Sequence, residues 1–250
     1  MKQIPNLFTL LNLFLGCIAI VCVLQSGITL VDDVNGGFAS VIPEKIYLAS
    51  IFIAAAGIVD FLDGFVARLM KASSEMGKQL DSLADVVSFG VAPGMIIFQF
   101  LRLSFAQQPG GLDVSAAWLL PAFIIPCAGA YRLARFNIDT EQSYGFKGMP
   151  IPAAGLLIAS FPLIYWFSDQ EWIIRLLVNK WFLYGVIAVV SYLMVSTLPM
   201  MALKFKNASL KDNWPKLVLV IAAIICALLF HWLAVPLVFI VYIALSLALK

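Results

Sequence analysis

Charge is scarce in this chain. Only 12% of its 250 residues are Asp, Glu, Lys or Arg, about half the share carried by a soluble globular domain, while 62% are hydrophobic. A soluble single domain is thereby excluded, and the chain reads as an integral membrane protein. Cysteine is sparse too: Cys17, Cys22, Cys127 and Cys226 all fall in apolar runs with no CxxC or other metal-ligand spacing, which predicts apolar packing. The single histidine, His231, falls in a predicted outer turn and is assigned no chemistry. No repeat of 20 to 50 residues, low-complexity tract or dividing linker is present, so one membrane domain spanning 1–250 is expected. The opening Met1-Lys2-Gln3-Ile4-Pro5 runs into apolar sequence without a small-residue cleavage site, which predicts that the first segment is kept as a helix. The formal charge of +2 says little by itself, and no nucleic-acid partner is expected.

What the chain has in abundance is long apolar runs. A helix crossing the hydrocarbon core needs about 20 mostly apolar residues. On that basis spans are predicted near 6–25, 47–67, 83–105, 115–137, 150–167 and 181–203, followed by two shorter runs, 216–230 and 236–249, that read as a tight hairpin. The expected fold is therefore an all-α transmembrane bundle of about eight helices, with a core over 1–203 and a C-terminal hairpin over 215–250. With the N-terminus placed in the cytoplasm, 12 of the 16 Lys and Arg residues fall on that side, so both termini are predicted to be cytoplasmic. Phe98, Trp166 and Trp181 are expected to be interfacial belt residues. The segment from Ser26 to Lys45, with Asp32, Asp33 and Gly36-Gly37, reads as a solvated outer connection.

Against this background one stretch is anomalous. From Asp60 to Asp85 the sequence DFLDGFVARLMKASSEMGKQLDSLAD sets four aspartates beside very apolar sequence. Asp60 and Asp63 are three residues apart, Asp81 and Asp85 four apart, and either spacing puts a pair on one helical face. A carboxylate facing lipid near the bilayer centre costs about 2.5 to 3.5 kcal/mol, so the four must face one another or a wet cavity. The nearby cations are Arg68, Lys71 and Lys78, and the two lysines can reach bulk water. A divalent metal is the simplest remaining way to gather four carboxylates. Hard oxygen ligands favour Mg2+ or Mn2+, which in turn are commonly shared with substrate phosphates. Two such ions can clamp a phosphate in transfer, and one carboxylate can act as general base. The competing reading is a cation or proton transporter with the aspartates as a relay, although no internal repeat or broken mid-membrane helix pair accompanies them.

As a pattern the stretch is D-x-x-D-G-x-x-A-R, eight residues, then G-x-x-x-D-x-x-x-D, occupied by Asp60, Asp63, Gly64, Ala67, Arg68, Gly77, Asp81 and Asp85. At every position it resembles the signature of the CDP-alcohol phosphatidyltransferase family. The resemblance implies a six-helix catalytic core, a dinuclear Mg2+ or Mn2+ site and a CDP-linked lipid substrate. It also implies metal ligation by Asp60, Asp63 and Asp81, with Asp85 near metal as general base. Gly64 and Ala67 would admit the nucleotide, Gly77 belongs to the same motif, and Arg68 would meet the diphosphate or pair with the carboxylates.

The similarity extends to the bacterial membrane-type phosphatidylserine synthases at 81–93 (DSLADVVSFGVAP), at 132–137 (RLARFN), at 148–152 (GMPIP) and at the opening 5–12 (PNLFTLLN). It implies CDP-diacylglycerol and L-serine as substrates among the membrane lipids, Asn6 and Thr9 as nucleotide contacts, and a homodimer. Arg132, Arg135 and Lys147 form a basic cluster that could bind the serine carboxylate; a plain positive-inside role fits them as well. Glycerol 3-phosphate or inositol as acceptor stays open at this point.

Overall fold

The computed structural model describes residues 4–32, 38–70, 74–108, 110–138, 146–201 and 210–248. Apolar runs fold into helix here because a helix satisfies its own backbone, whereas an unpaired N–H or C=O in lipid is costly. Helix α1 covers Ile4–Gln25 and is joined through a short antiparallel hairpin, β1 (Thr29–Asp32) and β2 (Phe38–Val41), to α2 at Tyr47–Leu69. There follow α3 (Glu75–Asp85), a π-helical turn at Val86–Val91, α4 (Ala92–Ala106), α5 (Ile124–Ile138), β3 (Phe146–Lys147) and α6 (Ile151–Phe167). Then come α7 (Glu171–Leu177), α8 (Lys180–Val195), β4 (Pro199–Met200), α9 (Leu210–Phe230) and α10 (Ala234–Ala248).

Among the described residues, four helical stretches are long and apolar enough to cross a membrane: Pro5–Gln25, Glu44–Leu69, Glu75–Ala106 and Asn213–Ala248. The pair α7 and α8, bent by 66°, adds a fifth if it counts as one span. Within the last stretch the α-helix is interrupted. His231 takes φ 49° at a 3-10 turn over His231–Leu233, which separates α9 from α10, and the two helices are in contact.

The structure corrects several expectations. The third predicted helix begins at Glu75, not near 83, because Ser74 caps it by accepting a hydrogen bond from the Gly77 N–H at 3.0 Å. Asp81 therefore lies well inside a helix. The fifth helix begins only at Ile124: residues 116–123 form 3-10 turns around Pro121. The helix expected over 181–203 ends at Val195, and Pro199–Met200 pairs with Phe146–Lys147 instead. Residues 202–209, like Asp33, Gly36-Gly37 and Lys71, lie outside the described residues. The thiols are all free, and Cys17 and Cys127 are exposed on the outer surface rather than packed inside, a position that costs an apolar group nothing where the surroundings are lipid. Of the three expected belt aromatics, Trp181 is exposed, whereas Phe98 and Trp166 pack against the core.

The core centres on the run Glu75–Ala106. Its π-helical turn buries Ser88, Phe89 and Gly90, and α1, α5 and α6 all close on it. Small residues permit the approach: a Cβ on Gly155 of α6 would lie 2.9 Å from the Phe89 Cα, and one on Gly16 of α1 would lie 2.3 Å from Ser88 Oγ. Helix α1 turns an inner stripe of Thr9, Asn12, Gly16, Ala19 and Val23 to this core, the 3–4 spacing of a helix packed along its length.

Candidate active site

The anomalous aspartates converge where α1, α2 and α3 meet. Asp60 and Asp63 sit in the C-terminal half of α2, and Asp81 and Asp85 on one face of α3. Carboxylate oxygens of Asp60, Asp81 and Asp85 all lie within 4.8 Å of one another. Asp63 stands beside this trio, buried, and accepts a hydrogen bond from the Thr9 hydroxyl of α1. Asp85, also buried, accepts from the Asn12 side-chain amide at 3.3 Å.

Electrostatics make this cluster unstable unless something positive enters it. Three ionised carboxylates at such spacing repel by roughly 3 kcal/mol or more per pair at an effective dielectric near 20. Among the described residues no lysine, arginine or histidine forms an ion pair with any of the four aspartates. A hard, all-oxygen donor set with no cation of its own fits Mg2+ or Mn2+. Asp60, Asp81 and Asp85 could hold such an ion, with Asp63 beside them.

The flanking signature residues take distinct positions. Around Gly64 the space is open: an added Cβ would meet only Arg68 Nη1, at 3.9 Å. Arg68 itself is exposed at the end of α2, and Ala67 is partly buried. Gly77 does a different job. An added Cβ there would come 3.1 Å from Asn6 Oδ1, so its bareness lets the start of α1 lie against the first turn of α3.

The predicted basic cluster divides. Arg132, on α5, is 6% exposed, stacks its guanidinium 5.9 Å above the Phe136 ring, and lies within electrostatic reach of Asp85. Its Nε has no hydrogen-bond partner among the described residues. Arg135, one turn on, is turned to other work: Nη1 donates to the Val195 carbonyl at 2.7 Å and Nη2 to that of Ser196 at 3.0 Å. These carbonyls end α8, where a cation also meets the negative pole of the helix dipole. The side chain of Lys147 lies outside the described residues.

The GMPIP stretch serves the same helix end. Met149 N–H donates to the Leu193 carbonyl at 2.9 Å, and Gly148, at φ 76°, comes so close that an added Cβ would sit 2.6 Å from the Met194 carbonyl oxygen. Only glycine fits there without strain.

Sequence reasoning missed Asn12 and Ser88. Ser88 Oγ donates to the Asn12 carbonyl at 3.0 Å, tying α1 to the π-helical turn directly after Asp85. The signal for Asn12 lay in the stripe Thr9, Asn12, Gly16, Ala19, polar and small residues at helical spacing inside an apolar run. The π-helical turn has no such signal. A further link, Lys78 Nζ to the Asn137 carbonyl at 2.9 Å and the Asn137 amide to Ser82 Oγ at 2.8 Å, fastens α3 to α5.

Comparison with known proteins agrees with this geometry. The family model for CDP-alcohol phosphatidyltransferase matches residues 2–192. The chain is 37% identical over 199 residues to a CDP-diacylglycerol–serine O-phosphatidyltransferase of Helicobacter pylori J99, covering 78% of this chain and 70% of that protein. It is 33% identical over 171 residues to the enzyme of that name from Bacillus subtilis 168, covering 66% of this chain and 78% of the other. A Saccharomyces cerevisiae protein of the same name is 39% identical over 125 residues, covering 46% of this chain and 41% of its own length.

Proposed function

Because the chain belongs to the CDP-alcohol phosphatidyltransferase family, we propose that it transfers the phosphatidyl group of CDP-diacylglycerol to the hydroxyl of L-serine, releasing CMP in phospholipid synthesis. The observation that carries the chemistry is the convergence of Asp60, Asp81 and Asp85, none of which forms an ion pair with a cationic side chain among the described residues. Serine as acceptor is supported by the names of the relatives and by buried Arg132 within electrostatic reach of Asp85.

Asp85 accepts the serine hydroxyl proton as that oxygen forms its bond to the phosphorus bearing the diacylglycerol. The bond from that phosphorus to the oxygen of CMP breaks, and CMP leaves with the electron pair. Asp60, Asp63 and Asp81, with Asp85, would hold the divalent metal. When bound, that metal supplies positive charge to the diphosphate and to the departing CMP. Thr9 and Asn12 fix two of the carboxylates from α1. Open space at Gly64 and the small Ala67 admit the nucleotide, Arg68 meets the diphosphate, and Asn6 lies beside Gly77 at the same end. Arg132 takes the serine carboxylate, and the fork of a guanidinium suits it. Arg135 instead holds the end of α8.

We read the protein as a single domain of about eight membrane spans with both termini and the site at the cytoplasmic face of the cell membrane, which agrees with the distribution of basic residues in the sequence. A homodimer is the family's expectation. The deciding test supplies purified protein with CDP-diacylglycerol, Mn2+ or Mg2+, and one alcohol at a time. CMP release with L-serine is expected. Release with inositol or glycerol 3-phosphate but not serine would overturn the acceptor, and ion transport in liposomes without nucleotide turnover would overturn the enzyme reading.

A further inference from the structure

Two buried side chains that interact with Asp85, Asn12 through its amide nitrogen and Arg132 electrostatically, each carry a polar atom without a hydrogen-bond partner among the described residues: Asn12 Oδ1 and Arg132 Nε. They are of opposite kinds, an acceptor and a cationic donor. A buried group left unpaired costs about 1 to 3 kcal/mol, so a pair of them beside one carboxylate calls for a ligand that satisfies both.

Asn12 is wholly buried, and its orientation is fixed from three directions. Its amide nitrogen faces Asp85 Oδ1 at 3.3 Å, an assignment that the reverse rotamer would spoil by setting oxygen against oxygen. Its carbonyl receives the Ser88 hydroxyl at 3.0 Å. One turn on, Gly16 lies so close to Ser88 that α1 cannot rotate or withdraw without breaking the contact. The free Oδ1 is thus held beside the group that receives the acceptor's proton, while Arg132 stands within electrostatic reach of the same carboxylate.

We propose that Asn12 is a specificity-determining residue of the acceptor subsite, its Oδ1 accepting a hydrogen bond from the ammonium of an amino-acid acceptor while its amide nitrogen holds Asp85. The inference rests on the serine reading above. Serine, a β-hydroxy α-amino acid, presents hydroxyl, ammonium and carboxylate from adjoining carbons, matching Asp85, Asn12 and Arg132 in turn. A polyol or a phosphorylated alcohol lacks the ammonium and offers Oδ1 at most a neutral hydroxyl, a weaker donor than a charged one.

The test uses the full chain with CDP-diacylglycerol and L-serine, inhibited by L-alanine, which has the ammonium and carboxylate but no hydroxyl, or by propionate, which has the carboxylate alone. Wild-type turnover with serine is measured first; its absence defeats the serine reading itself. Given turnover, L-alanine is expected to inhibit at about tenfold lower concentration than propionate, the worth of one hydrogen bond to a charged group. In Asn12→Ala that advantage disappears while inhibition by propionate and the KM for CDP-diacylglycerol stay within twofold; kcat falls because Asp85 loses its amide. Equal potency of the two inhibitors in wild type, or an advantage that survives the substitution, overturns the role of Asn12 while leaving the serine reading intact. If Asn12→Ala turns over too slowly, the same comparison is read from the rise in melting temperature that each compound produces, with Asn12→Ser as a second variant.

Discussion

Thr9 on α1 donates its hydroxyl to the carboxylate of Asp63 on α2, joining two helices whose sequences lie 54 residues apart. The bond holds Asp63 beside the Asp60, Asp81 and Asp85 trio, and the Pro5 carbonyl, 3.2 Å from the same hydroxyl, is the competing acceptor for its proton. Thr9→Val keeps the shape and removes the donor. Groups that orient a metal ligand are typically worth 10- to 100-fold in affinity or activity. The half-saturating Mn2+ concentration for CMP release should therefore rise by about that factor in Thr9→Val, and Thr9→Ser should restore it.

Asp85 is the buried member of the trio, and the one reached by both Asn12 and the field of Arg132. Asp85→Asn keeps the volume and the hydrogen-bonding capacity but removes the base. A positioned general base contributes about 10²- to 10⁴-fold, so CMP release should fall at least about 100-fold while folding and membrane insertion are retained. Near-normal turnover in Asp85→Asn would exclude it as the base.

Mutual repulsion among Asp60, Asp81 and Asp85 has a consequence for stability that can be read without any turnover. Chelation with EDTA should lower the melting temperature of the wild type, and Mn2+ or Mg2+ should raise it again as the cation offsets the repulsion. Asp81→Asn removes one of the three charges. That variant should melt higher than the wild type in EDTA and gain far less on adding metal. Equal metal-induced shifts in both proteins would argue against a site at this trio.

Much of this was legible because apolar length and carboxylate spacing are local. The runs around 6–25 and 47–67 are helices at nearly those bounds, and the Asp60/Asp63 and Asp81/Asp85 pairs lie on facing helices as their spacing required. Where the reading erred, the deciding interaction was elsewhere. The early start of α3 depends on a cap at Ser74 inside a polar stretch that reads as a turn. The early end of α8 depends on Arg135 and Met149, about 45 to 60 residues away in sequence, taking up its last carbonyls. Hydropathy cannot register either effect, because neither changes how apolar the segment is. The same limit hid Asn12, whose partner lies on another helix.

Arg132 and Arg135 show how two residues with the same side chain, one turn apart, divide their labour. Arg135 spends both terminal nitrogens on the end of α8, so Arg135→Ala should destabilise the fold by about 1 to 3 kcal/mol, the cost of losing hydrogen bonds from a charged donor. Its KM for serine should stay near the wild-type value. Arg132 has an unpartnered Nε in a buried setting beside Asp85, and lysine cannot reproduce a planar fork on a carboxylate. Arg132→Lys should therefore raise the KM for serine about tenfold or more with little change in the KM for CDP-diacylglycerol. Measuring melting temperature and both KM values on the two variants separates the roles: a serine defect confined to Arg135, with Arg132→Lys unaffected, would reverse the assignment and make the α8 clamp part of the acceptor site.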